Sequence, residues 1–293
     1  MTRLRADLLL LLAAILWGVA FYFQKEAMTH VGVATFITAR ATIAALLLAP
    51  LAVLEHRRKG QGWPDGLTRI AALTALAFLI AAGLQQTAIT TATVTNTGFL
   101  TALYVVFTPL TAYLITRHVP PRIVWPGIAL AFAGTWLLGG GTIGGLSDGD
   151  WLALTSAFFW AVHVVVTGLG ARHDRPFAFT CLQFAFVALT AALVAAATEA
   201  PTREALSAAA PSILYVGVLA NAVTFTILVI ALRHTSPPEA SVILSTESLF
   251  AALAGAYLLG ETLSPISWAG AALILAAALL VQLAPLRLKY SRT

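Results

Sequence analysis

Ten long apolar runs dominate this sequence and restrict it to one class of structure. Each run can cross the hydrocarbon core of a bilayer, which takes about 20 mostly apolar residues in a helix. The runs cover residues 7–28, 33–54, 70–90, 94–116, 123–140, 151–170, 177–198, 212–232, 238–259 and 266–285. Hydrophobic residues make up 59% of the chain and charged residues only 10%, unlike a soluble domain. The sequence therefore predicts an all-α membrane protein with ten transmembrane helices.

The chain repeats itself after 143 residues. Trp17 in AILWGVAF matches Trp160 in AFFWAVHV, and further matches recur at this separation. A unit of five helices ends on the face opposite to its start, so the second copy must enter the membrane inverted. Inverted repeats of this kind place the substrate near the midplane, between the copies. We expect two inverted five-helix repeats, 1–140 and 151–293, around a central cavity, joined by a glycine-rich linker at 141–150.

Basic residues gather in the short loops of one face. If the amino terminus is cytoplasmic, 14 of the 17 Lys and Arg residues lie on the cytoplasmic side. Only Lys25 and Arg203 lie outside, and Arg40 lies within a helix. The positive-inside rule then predicts that both termini are cytoplasmic. Because the charges are spread over loops, they indicate membrane orientation and not nucleic-acid binding, despite a pI of 9.7.

No motif for catalysis, metal binding or cofactor binding is present in the sequence. Cys181 is the one cysteine, so a disulfide or a cysteine-based metal site cannot form within a single chain. HExxH and GxSxG are absent, and GGGTIGG lacks the Lys-Ser/Thr of a phosphate loop. We therefore expect a protein that is not an enzyme and that uses no cofactor or metal. Without an ATP-binding domain, active transport must draw on a gradient.

Several motifs resemble those of a known family. They are LLLAAILWGVAF in the first helix, Arg40 in the second, FTPLTAYL in the fourth and AGAYLLGETLS closing the ninth. Over its whole length the chain resembles the EamA type of the drug/metabolite transporter superfamily, and within it the bacterial exporters of aromatic amino acids. The resemblance implies export of small metabolites across a bacterial inner membrane, through a cavity lined by helices 1, 3, 4, 6, 8 and 9. The chain departs from the family at Arg117-His118, where the first unit often carries a Glu.

Polar and aromatic side chains within the apolar runs identify the inward faces of the helices. Trp160 and His163 share one helix face with Ser156 and Thr167, and such a face avoids lipid. The predicted cavity residues are Trp17, Phe21, Gln24, Phe78, Gln85, Gln86, Thr101, Tyr104, Trp160, His163, Asn221, Ser245, Glu247 and Ser248. Hydroxyls in membrane helices also tie helices together, each contributing roughly 0.6 kcal/mol, so packing is the alternative role for them.

The possible proton or charge sites within the apolar runs are Glu247, His163 and Arg40. A charge at the bilayer centre costs roughly 2.5–3.5 kcal/mol on insertion scales, so each needs a reason. Glu247 either holds a coupled proton or a substrate ammonium, or stays neutral and hydrogen-bonded. His163 either couples protons or is a hydrogen-bonded core residue. Arg40 either attracts a substrate carboxylate or extends to the outer interface as an anchor.

The chemistry of this lining indicates the class of solute. Aromatic rings, hydroxyls and amides with few charges suit an amphiphilic solute with a flat apolar group. A phosphate-bearing substrate would need Arg or Lys, and only Arg40 is available. We expect a secondary transporter of aromatic or hydrophobic amino acids that functions as a monomer in the lipid bilayer. The main alternative is a proton-coupled exporter of cationic drugs that uses Glu247. A passive channel, an intramembrane enzyme and a scaffold without cargo are further alternatives.

Two more expectations concern the helices themselves. Gly127 and Gly134 in the fifth helix and Gly270 in the tenth allow close backbone approach. They would stiffen each repeat or form a subunit contact. Pro109 in the fourth helix is the expected position of a gating bend, because proline interrupts helical hydrogen bonding.

Overall fold

The structure, a computed structural model, is helical in every regular element of the chain that it describes. The described residues are 1–60, 62–117, 119–122, 124–138 and 147–290, with side chains as far as residue 281. Residues 141–146 of the predicted linker lie outside them, as does His118. Ten helical spans follow one another along this part of the chain. Eight of them are long and apolar enough to cross a membrane, and the apolar helices Val124–Leu138 and Pro265–Val281 are shorter.

We number the spans α1 to α10. They are α1 (Arg3–Ala27), α2 (Val33–Lys59), α3 (Leu67–Thr91), α4 (Val94–Ala102 and Tyr104–Thr116), α5 (Val124–Leu138), α6 (Asp148–Ala171), α7 (Pro176–Thr198), α8 (Arg203–Leu214, a π-helical segment Tyr215–Val223, and Thr224–Ala231), α9 (Pro237–Leu244 and Glu247–Leu259) and α10 (Pro265–Tyr290). Successive spans run in opposite directions. The start of α1 and the end of α10 therefore share one face, the terminal face, and the other is the distal face.

The helices follow the predicted runs with one substantial difference, at the start of α8. The loop expected before residue 212 is helical, because α8 begins at Arg203. The hydroxyl of Thr202 accepts a hydrogen bond from the Ala205 N–H at 3.1 Å and caps this start. Pro211 lies inside the helix and removes one backbone donor without ending it. The span predicted to begin at residue 212 therefore begins nine residues earlier.

Helix packing shows the symmetry between the repeats. α2 packs along α7 and α5 along α10, so each pair joins equivalent helices of the two repeats. α3 packs on α6 as α8 packs on α1, and α4 contacts α6 as α9 contacts α1. The second repeat is thus related to the first by a rotation about an axis in the membrane plane. This is the predicted inverted arrangement, and it leaves a cavity between the repeats.

Two glutamates hold the central pair α2 and α7 together at equivalent ends. On the distal face, Glu199 accepts hydrogen bonds from two N–H groups in the first turn of α2, at 2.9 and 2.8 Å. On the terminal face, Glu55 accepts hydrogen bonds from the N–H groups of Phe177 and Ala178 in the first turn of α7, at 3.4 and 3.0 Å. Each carboxylate satisfies unpaired donors at the positive end of a helix dipole. Glu55 and Glu199 are 144 residues apart, so they occupy equivalent positions in the two repeats.

α4 and α9 are interrupted at matching positions. The break in α4 is at Leu103 and that in α9 at Ser245 and Thr246, up to 143 residues later. In α9 the hydroxyls of Ser245 and Thr246 each donate to a carbonyl oxygen three residues earlier, at 2.7 Å, and such bonds bend helices. Pro109, the expected bend, lies inside the second half of α4, six residues beyond the break. The bends therefore come as a symmetric pair, and neither is centred on this proline.

The glycines of α5 and α10 join the two repeats. A Cβ added at Gly134 would lie 2.7 Å from the Gly270 carbonyl oxygen, and one at Gly127 would lie 2.6 Å from a methyl carbon of Val281. No side chain fits at such distances, so the helix backbones are in contact. This contact links α5 of one repeat with α10 of the other. The glycines thus face each other within the chain, instead of stiffening a single repeat.

Candidate functional site

A small cavity of about 60 Å³ lies between the repeats, in the middle of the helix bundle. It is lined by α1, α3, α4, α6, α8 and α9, the helices that the family resemblance implies, and by one residue of α2. The lining residues are Trp17, Phe21, Gln24, Arg40, Phe78, Gln85, Thr101, Tyr104, Trp160, His163, Val164, Val216, Ala220, Asn221, Phe225, Leu228 and Glu247. All the residues predicted from the sequence are in this set except Gln86, Ser245 and Ser248.

Phe78 stands at the centre of an aromatic wall. Its ring meets those of Trp160, Phe184 and Phe225 edge to face, with centroids 5.4, 5.3 and 5.3 Å away. Trp17 packs on Phe225 from α1, with centroids 4.9 Å apart. Each such pair contributes about 0.5–1.5 kcal/mol beyond the burial of its area. The wall is therefore a preformed apolar surface built from both repeats.

The two matching tryptophans each donate their indole N–H across the boundary between the repeats. Trp17 Nε1 donates to the carbonyl oxygen of Ala220 in α8 at 2.8 Å. Trp160 Nε1 donates to Gln85 Oε1 in α3 at 2.6 Å. A buried indole needs a partner for its one polar atom. These bonds fix the orientation of both rings and leave their apolar surfaces to the cavity.

α8 differs from its counterpart α3 by the π-helical segment Tyr215–Val223, whereas α3 is α-helical from Leu67 to Thr91. The Tyr215 hydroxyl donates to the Leu16 carbonyl oxygen of α1 at 3.2 Å. Asn221 belongs to the same segment and lines the cavity. π-Helical turns frequently occur at functional sites because they rotate side chains out of the regular register. Nothing in the sequence pattern predicts this distortion.

Arg40 is buried against the cavity, with 4% of its surface exposed. Its Nη1 donates to Gln24 Oε1 at 3.3 Å, and its Nε is buried without a partner. The guanidinium lies over the rings of Phe36 and Phe78, 5.2 and 5.6 Å from their centroids. It forms no ion pair within the described chain. Arg40 therefore does not extend to the interface as an anchor would, but presents an uncompensated charge to the cavity.

Glu247 is the acidic residue of the lining and is 5% exposed. It opens the second half of α9, as Tyr104 opens the second half of α4, and the two positions match across the repeats. The Tyr104 hydroxyl lies beside the Glu247 carboxyl, although it makes no hydrogen bond of standard geometry. In the described part of the chain no Lys or Arg pairs with Glu247. The paired helix breaks thus bring an acid and a phenol together at the cavity.

His163 is fully buried among aromatic rings. Its Nε2 lies 3.1 Å from Gln183 Nε2, and its ring packs edge to face on Phe78 and Phe225. An amide nitrogen can only donate, so the ring Nε2 must accept and the imidazole proton resides on Nδ1. Nδ1 has no partner. In this arrangement the imidazole is neutral, and one of its polar atoms is unpaired.

Three predicted residues point elsewhere. Gln86 donates through Nε2 to the Gln24 carbonyl oxygen at 3.1 Å and ties α3 to α1. The hydroxyls of Ser245 and Ser248 donate to carbonyl oxygens of their own helix at 2.7 and 2.8 Å. Serine hydroxyls commonly bond the backbone of their own helix in this way. A serine in an apolar helix is therefore a poor indicator of the face that lines a cavity.

Five lining residues were not predicted, and most of them are purely apolar. They are Val164, Val216, Ala220, Phe225 and Leu228. In a uniformly apolar helix, periodicity gives no signal for which face looks inward. Phe225 is the exception, because it lies one turn after Asn221 and shares its face.

Several unpaired polar atoms line the cavity. The buried side-chain atoms there that lack a hydrogen-bond partner are Arg40 Nε, Thr101 Oγ1, Tyr104 Oη, His163 Nδ1 and Asn221 Nδ2. Buried polar groups are normally paired, so such a group of atoms in one cavity indicates a polar ligand or water. Across the described residues no group of three His, Cys, Asp or Glu side chains could hold a metal ion. The arrangement is suited to binding.

Glu261, from the GET sequence after α9, closes the distal end of α4. It accepts hydrogen bonds from the first two N–H groups of α4 at 3.0 and 3.1 Å, and from the Thr95 hydroxyl. The residue 144 positions earlier is Arg117, and the matching helix start is Pro237 and Pro238. Prolines have no N–H to donate. A glutamate at position 117 would therefore have nothing equivalent to bind, which explains the departure from the family pattern.

A second cavity, of about 640 Å³, opens on the terminal face between α4, α6, α8 and α9. Asp174 lies at its edge in the left-handed conformation, with φ of 57°. Lys59 and Arg233 each place a nitrogen 2.5 Å from one of its carboxylate oxygens. The hydrogen bond from Lys59 is the main cause that lowers the pKa of Asp174. Three loops are thus joined by one ionised carboxylate.

The EamA-like transporter family matches the chain twice, at residues 4–140 and 147–283. The chain belongs to the EamA-like transporter family. Each family domain corresponds to one repeat of the fold. The chain is therefore a multi-pass membrane protein of a transporter family.

Relatives of this family member are themselves named only as transporters. An uncharacterized transporter of Archaeoglobus fulgidus is 31% identical over 285 residues, which cover 96% of this chain and 87% of the relative. The uncharacterized transporter YwfM of Bacillus subtilis is 28% identical over 291 residues, which cover 97% and 95%. One crystal structure matches with a TM-score of 0.74 at 18% identity, covering 97% of this chain and 98% of its own, which supports the fold. Neither relative's name identifies a substrate.

Proposed function

We propose that this EamA-family transporter exports aromatic and other hydrophobic amino acids, and related small metabolites, by alternating access. The substrate occupies the central cavity between the repeats. The observation that carries this proposal is the aromatic wall around Phe78, which borders on isolated charges of opposite sign, Arg40 and Glu247. A solute with a flat apolar group and a small charged head matches such a lining.

The composition of the lining also disfavours other solutes. Phosphate groups are bound by several Arg or Lys donors, and Arg40 is the one such residue in the lining. A purely apolar solute would leave both charges and the unpaired polar atoms without partners, which costs free energy in a low-dielectric cavity. An amino acid has the required mixture of groups.

Inverted repeats and paired helix breaks support alternating access. In such folds, one repeat rocks against the other around a fixed central site. The breaks at Leu103 in α4 and at Ser245 in α9 lie beside the cavity, at positions where small rotations would open one face and close the other. Because one chain encloses the cavity, the monomer suffices for transport under this proposal.

The orientation follows from the charges. The terminal face carries most of the basic residues, so the proposal places both termini in the cytoplasm of a bacterial cell, with α1 to α10 in its inner membrane. A cysteine placed at exposed Arg58 on the terminal face should resist impermeant maleimide added to intact cells, whereas one at Ser147 on the distal face should react. Labelling of the Arg58→Cys variant from outside would reverse the assigned direction.

The central test is transport by the purified protein in proteoliposomes. Labelled phenylalanine should enter with saturable kinetics, and unlabelled tryptophan and tyrosine should compete while glutamate and glucose 6-phosphate should not. Repeating the assay with an imposed pH gradient separates uniport from proton coupling. Absence of phenylalanine uptake by protein shown to be folded would overturn the proposal.

A second candidate function, proton-coupled export of cationic drugs, draws on Glu247. This carboxylate faces the cavity with no basic partner in the described chain, as a shared site for a proton or an organic cation would. In that case, cells producing the protein would resist lipophilic cations such as ethidium. Glu247→Gln would then abolish both the resistance and its pH dependence.

A further inference from the structure

The central cavity holds a basic and an acidic side chain, Arg40 and Glu247, and neither forms an ion pair in the described structure. Arg40 comes from α2 in the first repeat, and Glu247 comes from α9 in the second. We infer that Arg40 binds the α-carboxylate and Glu247 the α-ammonium of one zwitterionic substrate, which thereby bridges the two repeats. This assignment rests on the proposed function and specifies how the amino acid head group is recognised.

The surroundings of Arg40 leave most of its donors free. A guanidinium has five N–H donors, and in the described structure Nη1 donates the one side-chain hydrogen bond of this group, to Gln24 Oε1 at 3.3 Å. Its other neighbours include the rings of Phe36 and Phe78, which carry no hydrogen-bond acceptor atom. The planar fork of an arginine matches a carboxylate through two parallel hydrogen bonds. A substrate carboxylate would supply both the missing acceptors and the missing charge.

A second unpaired donor in the lining reinforces this assignment. Asn221 Nδ2 is buried without a partner in the π-helical segment of α8. An amide N–H bonds a carboxylate oxygen well, but it offers nothing to an ammonium group. Two unpaired donor groups, one of them charged, thus line the same cavity, where a carboxylate would satisfy them.

Glu247 has the complementary chemistry. An ionised carboxylate only accepts hydrogen bonds, and an ammonium group only donates them. Tyr104 beside it is a weak partner in the described structure, because its hydroxyl lies outside normal hydrogen-bond geometry. An ammonium group could bond the carboxylate and the phenolic oxygen together. The apolar part of the substrate would then lie against Phe78, Trp160 and Phe225.

The second repeat shows why the cavity accepts one carboxylate and not two. The residue 143 positions after Arg40 is Gln183, which is neutral and is occupied by its contact with His163 at 3.1 Å. The symmetric position therefore offers no second cation. The same comparison suggests the test variant Arg40→Gln. Glutamine already occupies the matching position, 183, in the second repeat without disrupting the helix packing there.

The inference is tested by comparing head groups at constant side chain. Proteoliposomes are loaded with labelled tryptophan, tryptamine, which lacks the carboxylate, or indole-3-propionate, which lacks the ammonium. The wild type should move tryptophan fastest. Arg40→Gln should lower the ratio of tryptophan to tryptamine transport about tenfold or more, the size expected when a charged hydrogen bond is lost. Glu247→Gln should lower the ratio of tryptophan to indole-3-propionate transport by a similar factor.

Controls separate recognition from folding. Arg203→Gln and Glu204→Gln make the same chemical changes at exposed positions of the distal face and should leave both ratios unchanged. Arg40→Lys keeps the charge but loses the planar fork of donors. Its ratio of tryptophan to tryptamine transport should therefore lie between those of wild type and Arg40→Gln. Because each readout is a ratio, a lower amount of folded protein does not change it.

The outcomes distinguish failure of the head-group assignment from failure of the proposed function. If the wild type moves tryptophan but Arg40→Gln and Glu247→Gln retain the wild-type ratios, the head-group assignment is wrong while the proposed function stands. If the wild type moves tryptamine and not tryptophan, both the assignment and the amino acid proposal fail, and export of cations is favoured instead.

Discussion

The distal and terminal faces of the bundle lie at equivalent ends of the two repeats, yet their polar contacts differ. On the distal face, charged side chains bind backbone groups. Glu261 caps the start of α4, and Lys25 Nζ donates to the carbonyl oxygens of Ile89 and Ala92 at the end of α3, at 2.8 and 2.7 Å. On the terminal face Glu55 also binds backbone N–H groups, but charged side chains there bind each other as well, as Arg3 binds Glu239 at 2.8 Å.

The contrast has a physical origin in the helix ends. Helix termini offer free N–H and C=O groups, and a charge that binds them also benefits from the helix dipole. At the start of α9 two prolines remove the donors that α4 offers at the matching place, so a cap in the style of Glu261 cannot form. Ion pairs such as that of Asp174 then hold the terminal face. Under the proposed alternating access, the stabilities of the two faces can thus be set separately, although the repeats share one fold.

Removal of the Glu261 cap should have the largest effect. Glu261→Ala leaves two N–H groups at the start of α4 without partners, so we expect a loss of about 1.5–3 kcal/mol in the free energy of unfolding. Thermal unfolding of detergent-purified protein measures it. Glu204→Ala, an exposed acid on the same face, should change stability by less than about 0.5 kcal/mol. Equal stability of both variants would show that the distal face does not depend on this cap.

Substitution of either matched glutamate, in α2 or after α7, should lower the free energy of unfolding by a similar amount. Glu55→Ala and Glu199→Ala each remove a carboxylate from the first turn of the partner helix, and we expect each to cost about 1–2 kcal/mol. The two contacts are far apart, so the double variant should show the sum of the single effects. Burial alone would raise the pKa of Glu199, but hydrogen bonds from Thr35 and Ala34 outweigh it and lower the pKa. Unequal losses of unfolding free energy would show that the two contacts contribute differently to stability, although their hydrogen bonds are equivalent.

The Asp174 cluster should give a smaller and salt-dependent effect. Its side chain is 51% exposed, and exposed ion pairs are screened by water and ions, so Asp174→Asn should cost less than about 1 kcal/mol. High salt should reduce the difference from wild type, whereas it should leave the Glu261→Ala difference nearly intact. Unfolding curves at low and high sodium chloride provide the comparison.

The pH dependence of this cluster follows from the lowered pKa of Asp174. A carboxyl whose pKa is lower in the folded protein stabilises it above the unfolded pKa, and this stabilisation is lost as the pH falls through the folded value. Between pH 5 and pH 8 the contribution of Asp174 should therefore be constant. A wild-type minus Asp174→Asn difference that changed across this interval would contradict the assignment.

Substitution of Arg117 should have the smallest effect of all. Arg117→Glu restores the residue type common in the family, but Pro237 and Pro238 provide no N–H for it to bind. We expect a change of less than about 0.5 kcal/mol in the unfolding free energy. A clear stabilisation would show that the carboxylate finds another partner, and the proline explanation would fail.

Much of the cavity could be predicted from helical periodicity. Trp17, Phe21 and Gln24 share one face of α1 because they are three or four residues apart, and all three line the cavity. Periodicity was least informative in two cases. One is a helix that is apolar on every face, and the other is a polar residue whose side chain hydrogen-bonds its own helix. Leu228 belongs to an apolar run without a polar face, and Ser245 bonds its own helix.

The sequence by itself determined the number of spans, their approximate limits and the doubled unit, since these depend on hydropathy and on residue identity at a fixed separation. Only the tertiary structure decided which helices meet, that Glu261 and Glu199 close helix ends more than 160 residues away, and that α8 contains a π-helical segment. Such features arise from contacts between distant parts of the chain and from backbone distortion. Local periodicity contains no information about either, because it reports only which face of a helix is apolar.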